Sequence, residues 1–186
     1  MQTHSNWEAV VVCDNPNQAD AVRAIVAGIP HQFVEVPSEW HLGAKRNAGL
    51  EAAKGSYLVQ WDDDDWYHPA RIELQLRVCL HAGGTHAVFL RRQLAYAFDL
   101  DTAYIREFPS DRGICIHASV LAPKSDIRYP ANLTMGEDTA YLVEWLKRGQ
   151  ILIMDNDPFL YLRLSHGRNI CSRAHVMRQY EGQYGD

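Results

Sequence analysis

Long apolar runs are missing from this sequence. No stretch of its 186 residues approaches the length of a membrane span, and no charged-then-apolar leader is present, so the reading places the chain in the cytoplasm or at the inner face of a membrane. Cysteine is sparse. Cys13, Cys79, Cys115 and Cys171 lie far apart, with no Cys-x-x-Cys pair, which excludes a zinc-ligand pattern; Cys13 and Cys115 sit in apolar runs and read as core thiols of a reducing compartment. Basic charge is not in excess: 18 Lys and Arg face 23 Asp and Glu, and the net charge of −5 disfavours a nucleic-acid partner. An acidic ligand would therefore need a metal or a local basic cluster. Internal repeats and low-complexity segments are also absent. What remains is an ordinary globular composition, 47% apolar and 22% charged, long enough for one domain with a real core.

The first third of the chain alternates strand and helix. Glu8 to Asp14 is an apolar run ending in an acid, and Gln18 to Ala27 has helical spacing, with Ala21, Val22, Ile25 and Val26 on one side. His31 to Val36 is a second strand. A loop with Gly43 then opens a small-residue helix that Gly55 stops, and an apolar run from Tyr57 follows. This order predicts parallel pairing and right-handed crossovers. Arg71 to Leu80 reads as a helix ending near Gly83-Gly84. Further on, Ala87–Leu90 and Leu94–Phe98 are expected as strands, more polar and antiparallel in character. Ile114–Leu121 is an apolar strand, Ala140–Arg148 a helix, and Ile151–Met154 and Phe159–Leu164 late strands. The segment Asp101 to Gly113 reads as a mobile loop. The expectation is a single α/β domain, with residues 1–80 as one half and 81–186 as the other.

The chain's most informative stretch is Tyr57-Leu58-Val59-Gln60-Trp61-Asp62-Asp63-Asp64-Asp65-Trp66-Tyr67-His68-Pro69. A strand here runs into four consecutive carboxylates. Such a group repels itself unless it is solvated or holds a cation. Hard cations such as Mg²⁺ or Mn²⁺ take oxygen ligands, often using one or two carboxylates and completing the shell with water and phosphate oxygens. The plain alternative is a solvated turn with Asp65 capping the next helix. An EF-hand is disfavoured, because four contiguous acids lack its alternating ligand spacing.

Other candidates are weaker alone. Lys45 and Arg46 occupy the first turns of a helix, where an anion is already favoured. Glu137-Asp138 precedes a helix and serves equally as a cap or as a general base. His166 follows a strand, and Asp14 ends one. Their order carries more than any member: Asp14, then Lys45-Arg46-Asn47, the cluster Asp62 to Asp65, Glu137-Asp138, and His166.

That order resembles the family 2 glycosyltransferases of the GT-A fold. The matching pieces are Gly43-Ala44-Lys45-Arg46-Asn47-Ala48-Gly49-Leu50, the acidic stretch through Pro69, Gly136-Glu137-Asp138, and Tyr161-Leu162-Arg163 with His166. The resemblance implies a Rossmann-like mixed, mostly parallel sheet flanked by helices. It also implies transfer of a sugar from a nucleotide-diphosphate donor to an acceptor hydroxyl, with inversion and with Mn²⁺ or Mg²⁺. By position, Asp14 would contact the base, while Lys45, Arg46 and Asn47 would lie near the nucleotide. Asp62 and Asp63 would hold the ribose and border the metal. Asp64, with Asp62 and His166, would bind the metal, and Asp138 would be the base with Glu137 beside it. Acceptor specificity would reside in Thr85 to Asn132.

One part of the family pattern is not matched. Members usually begin with an additional strand and helix before the strand that ends in Asp, and residues 2–8 here look like the joint after that helix. Without that strand a gap in the sheet is expected, with exposed edges. The chain could be truncated or its start misassigned, a partner chain or a second copy could supply the strand, or Ala9 to Cys13 could itself take the central place in a minimal domain. Two readings of another class follow: a GT-A-like module that binds a nucleotide or a partner but transfers nothing, and a metal-dependent phosphotransferase needing no base at Asp138.

Overall fold

The computed structural model describes residues 2–108 and 115–166. Its strands are β1 (Ala9–Cys13), β2 (His31–Glu35), β3 (Tyr57–Val59), β4 (Trp66–Tyr67), β5 (Ala87–Leu90), β6 (Arg92–Ala97), β7 (Thr102–Glu107), β8 (Ile116–Pro123), β9 (Ile151–Met154) and β10 (Tyr161–Ser165). The helices are α1 (Ala19–Val26), α2 (Leu42–Ala52), α3 (Arg71–His81) and α4 (Glu137–Lys147), with a short 3₁₀ turn at Pro158–Leu160.

Three sheets result, in the orders β1-β2, β3-β8-β5-β9 and β4-β10-β6-β7. The expected mixed α/β architecture is present, but it is not mostly parallel. The pairs β1–β2, β6–β10 and β5–β9 are parallel, while β4–β10, β3–β8, β5–β8 and β6–β7 are antiparallel. The alternation of strand and helix does give β1 and β2 a parallel register, from Ala9 opposite His31 to Cys13 opposite Glu35. It fails at β3, whose partner among the described residues is the distant β8. Among the described residues β1–β2 and the sheet that holds β3 are separate.

Local chemistry explains the helices. In α2 the glycines permit close approach on two sides: a Cβ on Gly43 would sit 2.0 Å from the Pro130 carbonyl oxygen, and one on Gly49 would sit 3.2 Å from the Val12 side chain. A bulkier sequence could not lie against β1 and the 129–130 segment at once. In α3 the buried positions Arg71, Gln75 and Cys79 recur every fourth residue. Gln75 Nε2 donates to the carbonyls of Val88 at 3.0 Å and Ser119 at 2.8 Å, satisfying groups beside the irregularity between β5 and β8. The α4 face formed by Tyr141, Leu142 and Trp145 packs with Ala87, Phe89, Val120 and Ala122 in the largest core cluster.

Three expectations need correction. The apolar side of α1 is incompletely covered, with Ile25 81% exposed. The segment read as a mobile loop carries β7, paired with β6 from Arg92 opposite Glu107 to Ala97 opposite Thr102. Its charged and small residues hid the alternation of an edge strand. Helix α4 begins at Glu137 rather than Ala140, since Gly136 adopts a left-handed φ of 83° that sets the turn into it. The loop and tail expected after His166, and Cys171 with them, lie outside the described residues.

Candidate active site

The acidic loop hangs between β3 and β4 and is braced from below. Tyr67 is buried, with its ring 4.2 Å from Trp61 and 4.8 Å from Tyr161. Its hydroxyl accepts from the Asp62 backbone N–H at 3.1 Å. Arg71 is wholly buried beneath these rings, its guanidinium carbon 4.3 Å from the Tyr67 centroid and 5.1 Å from that of Trp61. Its Nε donates to Gln75 Oε1 at 3.0 Å, and its two terminal nitrogens have no hydrogen-bond partner among the described residues. The ring faces therefore do the work of stabilising that cation.

The four carboxylates take different roles. Asp62 Oδ1 accepts from Arg46 and from Gln60 Nε2, each at 3.3 Å. Asp63 and Asp64 are exposed. Asp65 turns inward and accepts from the Tyr161 hydroxyl at 2.6 Å and the Leu164 N–H at 2.9 Å. Burial pushes Asp65 up to about 6, against the pull of those two donors. This latch fastens the loop to β10, and β10 delivers His166, whose Nε2 lies 3.4 Å from Asp64 Oδ2. The expected pair of Asp64 and His166 is thus brought together. The Asp62 carboxylate is engaged by Arg46. Among the described residues no group of three His, Cys, Asp or Glu is gathered to hold a metal by protein ligands alone.

Arg46 is the hinge of the arrangement. From α2 it reaches Glu137 at 2.5 Å through one terminal nitrogen and Asp62 at 3.3 Å through the other. Glu137 is buried, so this ion pair ties the first turn of α4 to the end of β3. Desolvation opposes the charge on Arg46, yet Asp62 and Glu137 together with the neighbouring Tyr129 and Asp138 hold its pKa above the ordinary value. Two other residues expected at the nucleotide are engaged within the fold. Lys45 Nζ pairs with Asp14 at the end of β1. The Asn47 amide exchanges two hydrogen bonds with the Tyr129 backbone, at 2.8 Å and 2.9 Å, and so fastens α2 to the 129–130 segment.

Asp138 lies next to the buried Glu137 and is partly exposed. Its Oδ1 accepts from the Thr139 N–H at 2.7 Å and faces the Thr139 hydroxyl at 3.4 Å. The Thr139 hydroxyl also meets His117 Nδ1 of β8 at 2.9 Å. The sequence reading missed Arg71, Tyr161, Thr139 and His117. An aromatic-rich acidic loop followed by an Arg at a buried helix position hinted at the first. Tyr161 and His117 are brought in by strands remote in sequence, and Thr139 directly follows Asp138 in α4.

The fold and this acidic strand end define a GT-A type glycosyltransferase domain. A family model, glycosyl transferase family 2, matches residues 1–109, and the chain belongs to that family. EpsH of Bacillus subtilis (strain 168), named as a glycosyltransferase, is 39% identical over 80 residues, covering 41% of this chain and 23% of EpsH. The uncharacterized glycosyltransferase MJ1057 of Methanocaldococcus jannaschii is 21% identical over 96% of this chain and 68% of its own. Among solved structures, S. aureus TarS residues 1–349 in complex with UDP has a TM-score of 0.67 at 15% identity, covering 98% of this chain and 58% of that one. The chain thus spans about a quarter of EpsH and somewhat over half of that TarS structure.

Proposed function

We propose that the chain transfers a sugar from a nucleotide-diphosphate donor to an acceptor hydroxyl, with inversion, using Asp138 as the general base. The observation that carries this reading is the Arg46 bridge. It joins Asp62 at the acidic strand end to Glu137 in the first turn of α4, the turn that also carries Asp138. Among the described residues no hydrogen bond reaches Asp138 Oδ2, while Oδ1 is tied to Thr139. Oδ2 is thus the oxygen left to take the proton of an acceptor hydroxyl. The acceptor oxygen would attack the anomeric carbon as its bond to the diphosphate oxygen breaks, with a transition state of oxocarbenium character.

Asp64 and His166 offer one oxygen and one nitrogen donor at the surface, which fits Mn²⁺, and Mg²⁺ with more of its shell from water and phosphate. Such an ion would neutralise charge on the departing diphosphate. Asp63, exposed beside them, is free to reach the ribose. The UDP held by TarS makes uridine diphosphate the first nucleotide to test. No described helix is long and apolar enough to cross a membrane. We place the activity in the cytoplasm, acting on a glycan, lipid-linked or protein hydroxyl.

The test is nucleotide release from UDP-, GDP- and dTDP-sugars, comparing the natural chain with Asp138→Asn. Release that Asp138→Asn lowers at least a hundredfold, with donor affinity unchanged, supports the base assignment. Equal rates refute it. A second reading, a nucleotide- or partner-binding module without transfer, is favoured by the separation of β1–β2 from the β3-containing sheet. Nucleotide binding without sugar release in any combination would select it.

A further inference from the structure

We infer that His117 and Thr139 are positioning residues that fix the orientation of the Asp138 carboxylate, through a chain of hydrogen bonds running His117 Nδ1–H to Thr139 Oγ1 and Thr139 Oγ1–H to Asp138 Oδ1. The inference rests on the reading of Asp138 as the base, and it adds two residues that neither the family match nor the sequence motifs single out.

The geometry leaves the Thr139 hydroxyl between two neighbours. His117 Nδ1 stands 2.9 Å from it and Asp138 Oδ1 stands 3.4 Å from it. A hydroxyl has one hydrogen to give. A carboxylate is the stronger acceptor, and facing it with a lone pair would be repulsive, so the hydrogen belongs on the Asp138 side. The imidazole must then be the donor, with its proton on Nδ1. The surroundings of the ring agree. The charged groups that act on it are Asp138, from α4, and Arg106, from β7. Burial and the Arg106 cation both hold the ring below its ordinary pKa, against the pull of Asp138, so it is neutral. With its proton on Nδ1, the ring keeps Nε2 as an unprotonated acceptor.

The consequence for Asp138 is directional. Oδ1 receives two donors from Thr139, the N–H at 2.7 Å and the hydroxyl, and is committed. The carboxylate cannot turn to another plane without losing both. Oδ2 is therefore held outward, and the strand β8 fixes the orientation of a group on the first turn of α4.

The experiment reads the tautomer directly. Long-range ¹H–¹⁵N spectra of the full ¹⁵N-labelled chain, with His117 assigned by its loss in His117→Gln, report which ring nitrogen carries the proton. The expected result is Nδ1–H in the natural chain, kept in Thr139→Ser and shifted to Nε2–H in Thr139→Val. Nε2–H in the natural chain, or an unchanged tautomer in Thr139→Val, overturns the hydrogen-bond chain. In parallel, nucleotide-sugar consumption in Thr139→Val should fall about tenfold in kcat with little change in donor KM, and Thr139→Ser should restore it. A normal kcat in Thr139→Val overturns the positioning role. If Asp138→Asn proves fully active while the tautomer behaves as expected, the base assignment falls and the hydrogen-bond chain stands.

Discussion

Replacing Arg46 by Met tests the arrangement at its most heavily used residue. The Arg46 and Glu137 side chains retain only 14% and 7% of their exposure, and Asp62 adds a second carboxylate at 3.3 Å. Two unit charges about 4 Å apart interact by roughly 4 kcal/mol at an effective dielectric of about 20. Removing one partner of a buried pair typically costs ~3–5 kcal/mol, because the other charge is left without compensation. The partial exposure of Asp62 trims this, and we expect a loss of about 3 kcal/mol. For a chain of this size that is a fall in Tm of ~6–12 °C. Urea denaturation supplies the stability and its m-value. The double variant with Glu137→Gln should recover about half the loss, since only the partly exposed Asp62 carboxylate then lacks its partner. A loss below about 1 kcal/mol in Arg46→Met, or a double variant no better than the single, would refute the bridge as the tie between α4 and β3.

Other outcomes follow from the same structure. Gly43→Ala should destabilise by about 3 kcal/mol or displace α2, because the new methyl meets the Pro130 carbonyl oxygen at 2.0 Å; thermal unfolding checks it, and a neutral result would mean that α2 is not seated as described. Asp65, raised to about 6 from an ordinary 3.8, binds its proton more tightly in the folded chain than in the unfolded. Its contribution to stability is therefore full below the unfolded value and is lost as pH rises through 6, a change of ~2–3 kcal/mol. In EDTA, the stability difference between the natural chain and Asp65→Asn should change by that amount between pH 4 and pH 7, as roughly set by the two pKa values. A constant difference would contradict the burial of Asp65.

Much of the site was readable from residue order. The acidic stretch, the Gly43 to Leu50 block and the Glu137-Asp138 pair are contiguous, and contiguous motifs survive without knowledge of the fold. The β1–β2 pairing was likewise legible, because alternation of strand and helix favours a parallel register, whereas the pairing of β3 with the distant β8 was not. What escaped depends on distant contacts. Nothing in Ile114 to Leu121 marks His117 as a neighbour of Thr139, and nothing in Tyr161 announces a hydrogen bond to Asp65, 96 residues away. Charge alone also leaves out the partners: Lys45 and Arg46 read as anion ligands, and in the structure Asp14, Asp62 and Glu137 engage them. An ion pair between remote elements is invisible to spacing rules.

The central claim, a donor site built on Asp64 and His166, is tested most directly by thermal unfolding of the chain with UDP, GDP or dTDP, each with and without Mn²⁺, beside Asp64→Ala. A ligand that binds only the folded state raises Tm. The account predicts a rise that requires nucleotide and metal together and disappears in Asp64→Ala. A rise of equal size in Asp64→Ala, or no rise with any nucleotide and metal, would contradict it.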